Sequence, residues 1–332
     1  MRRHLPGLLV LGLCSACEPE PVAKDDTGPG QDDTGGDLSC EASSILSVRP
    51  DGSLAYVSLG VQVVVETDGG VLAAESAIVV TDGDGANVPF SGVAEGQRLV
   101  FTPDASLEPY TSYTFDAEVC GLSTSGAFTT GGYGEAPPLE ALSGSTWALD
   151  LQHANWVEPE GGGSMLRQYF SGIILLGVQS VTTAEIDLLL GAGEDTKIGV
   201  LQDPCFETVD FEPVSFEDSP YVAMGPADLP VSVEGQLIVL HHTYLFAGFS
   251  ADGSMLGDGI LSAQADVRDV AGSTGYDPDD LCAMIEMFGF GCSECLADGE
   301  IYCLDLRVEE IEGERADGLT LVPVTETSGE CD

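Results

Sequence analysis

Positive charge is what this chain has least of: its 332 residues carry 10 Lys and Arg against 56 Asp and Glu, a formal net charge of -46. Such a surface repels phosphate, which excludes a sequence-independent nucleic-acid binder. Histidine is nearly as scarce, with four in all, so imidazole chemistry has little room. No apolar run reaches the roughly 20 residues of a spanning helix, and long helical periodicities are few. What the chain does have is 42 glycines, 18 prolines and 43% hydrophobic residues. That is enough to bury one or two cores, in the turn-rich composition of an all-β chain. At roughly 100–200 residues per domain, the length suggests two.

The N-terminus reads MRRHLPGLLVLGLCSAC, a basic start at Arg2 and Arg3, an apolar run over 5–13 and small residues before a cysteine. This is an export signal, too short to span a membrane. It resembles a bacterial lipoprotein signal through Ser15, Ala16 and Cys17, although Cys14 stands where leucine is usual. The resemblance implies removal of 1–16 and a lipid on Cys17, so that membrane attachment comes through the N-terminal lipid. The alternative is an ordinary secretory signal cut near Ala16. Residues 17–39, with DDTG repeated at Asp25 and Asp32, bury too little to fold and read as an acidic flexible tether.

Ten cysteines stand at 14, 17, 40, 120, 205, 282, 292, 295, 303 and 331. With Cys14 in the signal and Cys17 acylated, eight remain, an even set that reads as disulfides in an oxidising compartment. Cys40 and Cys120 bracket the first domain and are paired on that ground. Cys282, Cys292, Cys295 and Cys303 form a cluster whose internal connectivity stays open. A cytosolic reading would make the cluster a zinc site or a redox C-x-x-C, and both lose ground behind an export signal. Cys205 and Cys331 pair by elimination.

Between 41 and 131 the chain alternates as half-buried strands, with Val61, Val63 and Val65, then Ile78 and Val80, then Leu99 and Phe101. Asp-Gly turns at regular spacing indicate a seven-stranded sandwich. Pro50, Phe101, Thr102, Pro103, Leu107, Pro109, Tyr113, Thr114, Phe128, Thr130 and Gly131 resemble the SbsA-type bacterial Ig-like domain. That resemblance implies a spacer or interaction module over 40–131. Val65-Glu66-Thr67 and the cysteine pair depart from the family pattern. Asp82, Asp84 and Asn87 are calcium candidates by their oxygens, yet the same residues serve turn geometry without metal. No metal or other cofactor is expected.

Residues 132–142 are Gly- and Pro-rich and read as a linker. Over 143–332, a strand at Trp147 is followed by candidates at 172–178, 185–190, 231–233, 236–246, 259–267, 301–308 and 319–324. About eight strands suffice for a barrel or a second sandwich. One helix is predicted, with Asp277 as cap, Pro278 at its first position and Leu281, Met284, Ile285 and Phe288 as an apolar stripe, a stapled lid on the sheet. The opening LSGSTWALDL is similar to lipocalin-like barrels, with Gly144-x-x-Trp147 one residue longer than that pattern. His242 shares a strand face with Leu240, Tyr244 and Phe246 and reads as structural, while His241 points the other way.

No H-E-x-x-H, G-x-S-x-G or phosphate-binding Gly-Lys loop is present. The expectation is therefore not an enzyme. It is an all-β envelope lipoprotein, an Ig-like sandwich followed by a disulfide-stapled β domain with one short helix, in a structural, adhesive or binding role towards a protein or glycan partner. Outer membrane or cell surface is favoured over inner membrane. The alternatives are a lipocalin-like small-molecule binder and a carboxylate-dependent hydrolase.

Overall fold

The computed structural model describes residues 40–325, apart from 164–165, 168–172, 198 and 234–235. Cys17, the tether and Cys331 lie outside the described residues. Eight strands come first: β1 (Ile45–Arg49), β2 (Val63–Thr67), β3 (Ser76–Asp82), β4 (Asn87–Val88), β5 (Phe90–Glu95), β6 (Arg98–Pro103), β7 (Ser112–Val119) and β8 (Leu122–Thr129). They build two four-stranded antiparallel sheets, β1-β2-β6-β5 and β4-β3-β7-β8. The sandwich thus has one strand more than the turn spacing predicts, the extra one being two residues long. Alternation sets its core. Tyr113, Phe115, Ala117 and Val119 are the inward half of β7, and the pairs Val63–Phe101 and Val65–Leu99 face them from the other sheet. Each such side chain contributes about 1.5–3 kcal/mol on burial.

The sandwich is fastened at its N-terminal edge. Asp68 accepts hydrogen bonds from the amides and hydroxyls of Ser43 and Ser44 at 2.6–3.0 Å, which hold its carboxyl below the usual range. Next to this clasp Cys40 is joined to Cys120, with Cα atoms 5.5 Å apart.

The second domain begins after α1 (Leu139–Leu142) with β9 (Thr146–Asp150), β10 (Asn155–Glu158), β11 (Ile173–Val181), β12 (Glu185–Thr196), β13 (Gly199–Gln202), β14 (Val209–Asp210) and β15 (Val214–Ser215). It continues with β16 (Tyr221–Val233), β17 (Gln236–Phe249), β18 (Met255–Asp266), α2 (Val267–Thr274), α3 (Pro278–Glu286), β19 (Ser293–Glu294) and β20 (Ile301–Arg315). Twelve strands form one antiparallel sheet whose main path is β13-β12-β11-β9-β20-β18-β17-β16. Because β20 pairs with β9, the last long strand returns to the first. The ladder stops only between β12 and β16, where the short β14 and β15 pair with β12 and pack towards β16. Side chains from β9, β11, β12, β16, β17, β18 and β20 share one core. The domain is a curled, barrel-like sheet with a seam. Its Trp147 end is filled by rings, with Trp147 fully buried 5.0 Å from Phe249 and Phe216 edge-on to Phe249.

Four expectations change. Residues 319–324 are not a strand. Leu321 is buried there, and side chains stand in for a ladder: Gln202 accepts from the Val322 amide and donates to its carbonyl, while Thr146 and Thr208 accept from the amides of Leu321 and Val324. β16 runs ten residues further towards the N-terminus than expected, since Pro226 and Pro230 obscure it; the register slips around Pro226, as a proline without an amide requires. On β17 the register slips again between His241 and Tyr244, and His242 takes a left-handed conformation at φ 51°. Parity inverts past that bulge, so Thr243 and Leu245 point inward and Tyr244 is exposed. Finally, the described residues hold α1 and α2 besides α3, and the stripe of α3 is only partly covered: Ile285 packs against the Val267, Phe290 and Leu304 cluster, while Met284 and Phe288 are exposed. Asp277 does cap α3 by accepting from the Asp279 amide, but no residue of α3 is fully buried.

Replacing Cys40 and Cys120 together by serine opens a loop of 80 residues. The expected loss is about 2–5 kcal/mol of unfolding free energy, read by urea denaturation, with the fold of the second domain retained.

Candidate functional site

The two β domains meet at one carboxylate. Asp258, on β18, accepts from the Tyr110 hydroxyl through Oδ1 at 3.0 Å, and through Oδ2 from the Tyr221 hydroxyl at 2.6 Å and the Gly132 amide at 2.7 Å. Tyr221 in turn accepts from the Tyr133 amide at 3.0 Å and stacks on Phe246 at 5.5 Å. Burial, then the bond to Asp258, pushes the Tyr110 hydroxyl up to about 12, and the same causes raise Tyr221. Both therefore remain donors at any physiological pH. The backbone comes so close that a Cβ on Gly131 would lie 2.0 Å from the Tyr221 oxygen. Glycine is the residue that fits. The Leu59 amide and Ser58 hydroxyl donate to the carbonyls of Tyr133 and Gly134, so the start of the 132–142 connection is held from both domains.

Beside this joint a cleft of about 380 Å³ opens between the domains. Its sandwich wall is the outward face of the β1-β2-β6 ladder, where Arg49 pairs with Val64 and Arg98 with Glu66 in register. Its other wall is the turn between β15 and β16. Phe216 and Tyr221, both buried, pin that turn from inside, and the Ser219 and Tyr221 amides donate to the carbonyls of Phe216 and Asp218. The residues between, Glu217, Asp218 and Ser219, therefore face the cleft. Arg49 forms an ion pair with Glu217 across the gap. Burial raises the Asp218 pKa against the pull of Arg49.

At the far end of β18 the cysteine cluster resolves into Cys282–Cys292 and Cys295–Cys303. Asp266, Cys295 and Cys303 are the one group of three potential metal ligands brought together among the described residues. Since the disulfide occupies both sulfurs, no thiolate is available there. Arg268 braces this tip, paired with Asp266 and Asp298 and lying over the Tyr302 ring. Cys205 is disulfide-bonded, and its expected partner Cys331 is outside the described residues. Of the calcium candidates, the Asp82 carboxylate accepts from the amides of Asp84 and Ala86. It serves its own turn, and Asp84 and Asn87 make no side-chain hydrogen bond among the described residues.

No protein-family model and no curated protein matches the chain. Among solved structures, its N-terminal part is similar to CopC from Methylosinus trichosporium OB3b, at 21% identity over 26% of this chain and 91% of that one, with a TM-score of 0.22. A second likeness is to the Listeria monocytogenes EGD-e protein lmo2446, solved with α-D-glucose, β-D-glucose, magnesium and calcium. It has 10% identity over 66% of this chain and a TM-score of 0.18. The chain spans 21% of the length of that protein.

Sequence reasoning missed Asp258, Tyr110 and Tyr221, and also Arg49, Arg98 and Asp218. The available signal was scarcity: past the leader only eight residues are basic, and two of them line one cleft. His241 was missed as well. Its ring nitrogens lie 3.2 Å from Asp228 and 3.1 Å from Asp269. Among the described residues no helix is long and apolar enough to cross a membrane.

Asp258→Ala leaves a buried hydroxyl and an amide without their acceptor. It should cost about 2–4 kcal/mol of stability and broaden the distance distribution in solution X-ray scattering, whereas Asp258→Asn, which keeps one acceptor oxygen, should do less. For His241, burial favours the neutral ring, but hydrogen bonds to Asp269 and Asp228 outweigh it and the pKa is raised. Its stabilising contribution is complete below the unfolded value of about 6.5 and lost as pH rises through the folded one. The stability difference between the native protein and His241→Gln should therefore shrink as pH rises above the unfolded value of about 6.5.

Proposed function

We propose that this protein is a cell-envelope lipoprotein with a structural and binding role, anchored through a lipid on Cys17 and displayed at the outer membrane or cell surface. The sandwich is read as an SbsA-type Ig-like spacer that carries the barrel-like domain. The joint at Asp258 supports this reading: a spacer that positions its cargo needs a stiff coupling, and here one carboxylate, two tyrosines and a glycine pair provide it. Three disulfides among the described residues mark an extracytoplasmic chain. The surface is strongly acidic, so adhesion to anionic lipid has to come from acyl chains and not from charge.

A second reading, small-molecule binding by the barrel-like domain, is favoured by a cavity of about 200 Å³ at the seam, walled by Ile174, Phe206, Leu229 and Val231. The first reading is preferred because that volume is below the roughly 300–1,000 Å³ of ordinary ligand pockets.

Cell fractionation tests the anchor. The native protein should sediment with membranes and be released by detergent, and Cys17→Ala should move to the soluble fraction. Full membrane partitioning of that variant would refute the lipid anchor.

A further inference from the structure

The cleft between the domains is lined by residues whose polar atoms the fold leaves partly unsatisfied. The Ser219 hydroxyl is buried with no hydrogen-bond partner. Arg98 Nε is also buried without one: it lies 3.3 Å from Glu66 Oε1, off the line that a hydrogen bond needs. The Asp218 carboxylate and the Thr183 hydroxyl, both lining the cleft, accept or donate no side-chain hydrogen bond among the described residues. Buried polar groups are normally satisfied, and each exception asks for an occupant. Both exceptions belong to residues that line this cleft, Arg98 on the sandwich wall and Ser219, next to half-buried Asp218, on the wall of the barrel-like domain.

We infer that this cleft is a binding site for a small zwitterion, an α-amino acid or short peptide, whose carboxylate is received by Arg98 and whose ammonium is received by Asp218. The charge pattern selects this class over its neighbours. A simple anion would meet Asp218 and Glu217 and the field of a chain with net charge -46. A simple cation would meet Arg49 and Arg98. A molecule carrying both signs pairs with both walls, and guanidinium to carboxylate is a strong two-point contact. Between the charged ends the wall is aliphatic, from Val61 and Val64, and suits the side chain of such a ligand; no ring stands among the lining residues to stack on a sugar. The volume of about 380 Å³ falls within the range of small-molecule pockets. Burial also raises the Asp218 pKa, a cost that an incoming ammonium relieves.

The test is isothermal titration calorimetry on the full chain in detergent, with glycine, L-serine, L-glutamate and glycylglycine as probes, and acetate, methylammonium and glucose as comparators. At least one zwitterion should bind, and acetate and methylammonium at the same concentration should not. Arg98→Gln and Asp218→Asn should each weaken that binding tenfold or more, and Ser219→Ala by a smaller factor. Melting temperatures without probe show that each variant is folded; Asp218→Asn, which removes a buried charge, keeps the test open if Arg98→Gln does not fold. Binding of no zwitterion, binding unchanged in the folded variants, or equal binding of acetate or glucose would overturn the proposal. Loss of membrane attachment in Cys17→Ala bears on the anchor alone, so the two readings fail separately.

Discussion

One half-buried carboxylate gathers donors from both β domains and from the connection between them. Asp258 accepts from three donors, two hydroxyls and one backbone amide, and hydrogen bonds to a charged acceptor are stronger than neutral ones. None of the three is a cation, so the charge is solvated by dipoles instead of neutralised by an ion pair. That choice suits a chain with so few basic residues. It also makes the joint directional: the donors come from β16, from the turn before β7 and from the connection between the domains, so the carboxylate is satisfied only when all three are in register. Tyr110 and Asp258 both adopt left-handed backbone conformations, at φ 52° and 51°, a further sign that the surroundings over-determine the geometry. The cleft beside the joint inherits its shape from this coupling, because both domains contribute to its lining.

Charge explains much of what remains. Of the arginines past the leader, Arg49, Arg98, Arg268 and Arg307 each lie within ion-pair distance of an acid. These exposed pairs add little to stability singly. Their effect is on placement: Arg268 orders the stapled tip, and Arg49 bridges the domains at Glu217. The remaining excess of acids has no counter-charge within the chain, which keeps the protein soluble and repels anionic surfaces.

Legibility in the sequence followed the range of the interactions. The sandwich was readable because its core is a matter of local alternation, Val63 and Val65 opposite Phe101 and Leu99, with glycine turns marking several of the reversals. The placement of Cys40 and Cys120 at the two ends of that domain was readable for the same reason. β16 was not, because Pro226 and Pro230 break the pattern that a strand shows, and a bulge absorbs the missing amide. His242 was misplaced because parity reasoning assumes an unbroken ladder, and one extra residue in β17 inverts every face beyond it. Residues 319–324 have the composition of a strand, but glutamine and threonine side chains supply their hydrogen bonds, which no periodicity reveals. The joint and the cleft are set by contacts as much as 168 residues apart, and a single sequence carries no mark of such pairs beyond the glycines that let the backbones approach.

The stapled tip shows the same physics from the other side. Between α2 and β20 the chain has only a small cluster of its own, Val267, Phe290 and Leu304 with half-buried neighbours, too little apolar burial to hold two short helices in place. Two disulfides spanning 10 and 8 residues restrict the unfolded chain and substitute for the missing core. Because covalent links share the holding, part of the tip's apolar surface can stay outside. Met287 is 85% exposed and Phe288 62%, although α3 has the amphipathic spacing that in a core-packed helix would turn such residues inward. The stripe visible in the sequence is therefore real as a pattern and only half of it is a burial signal. Ile285 serves the small cluster, while Met284 and Phe288 stay outside and leave an apolar surface on an otherwise acidic molecule.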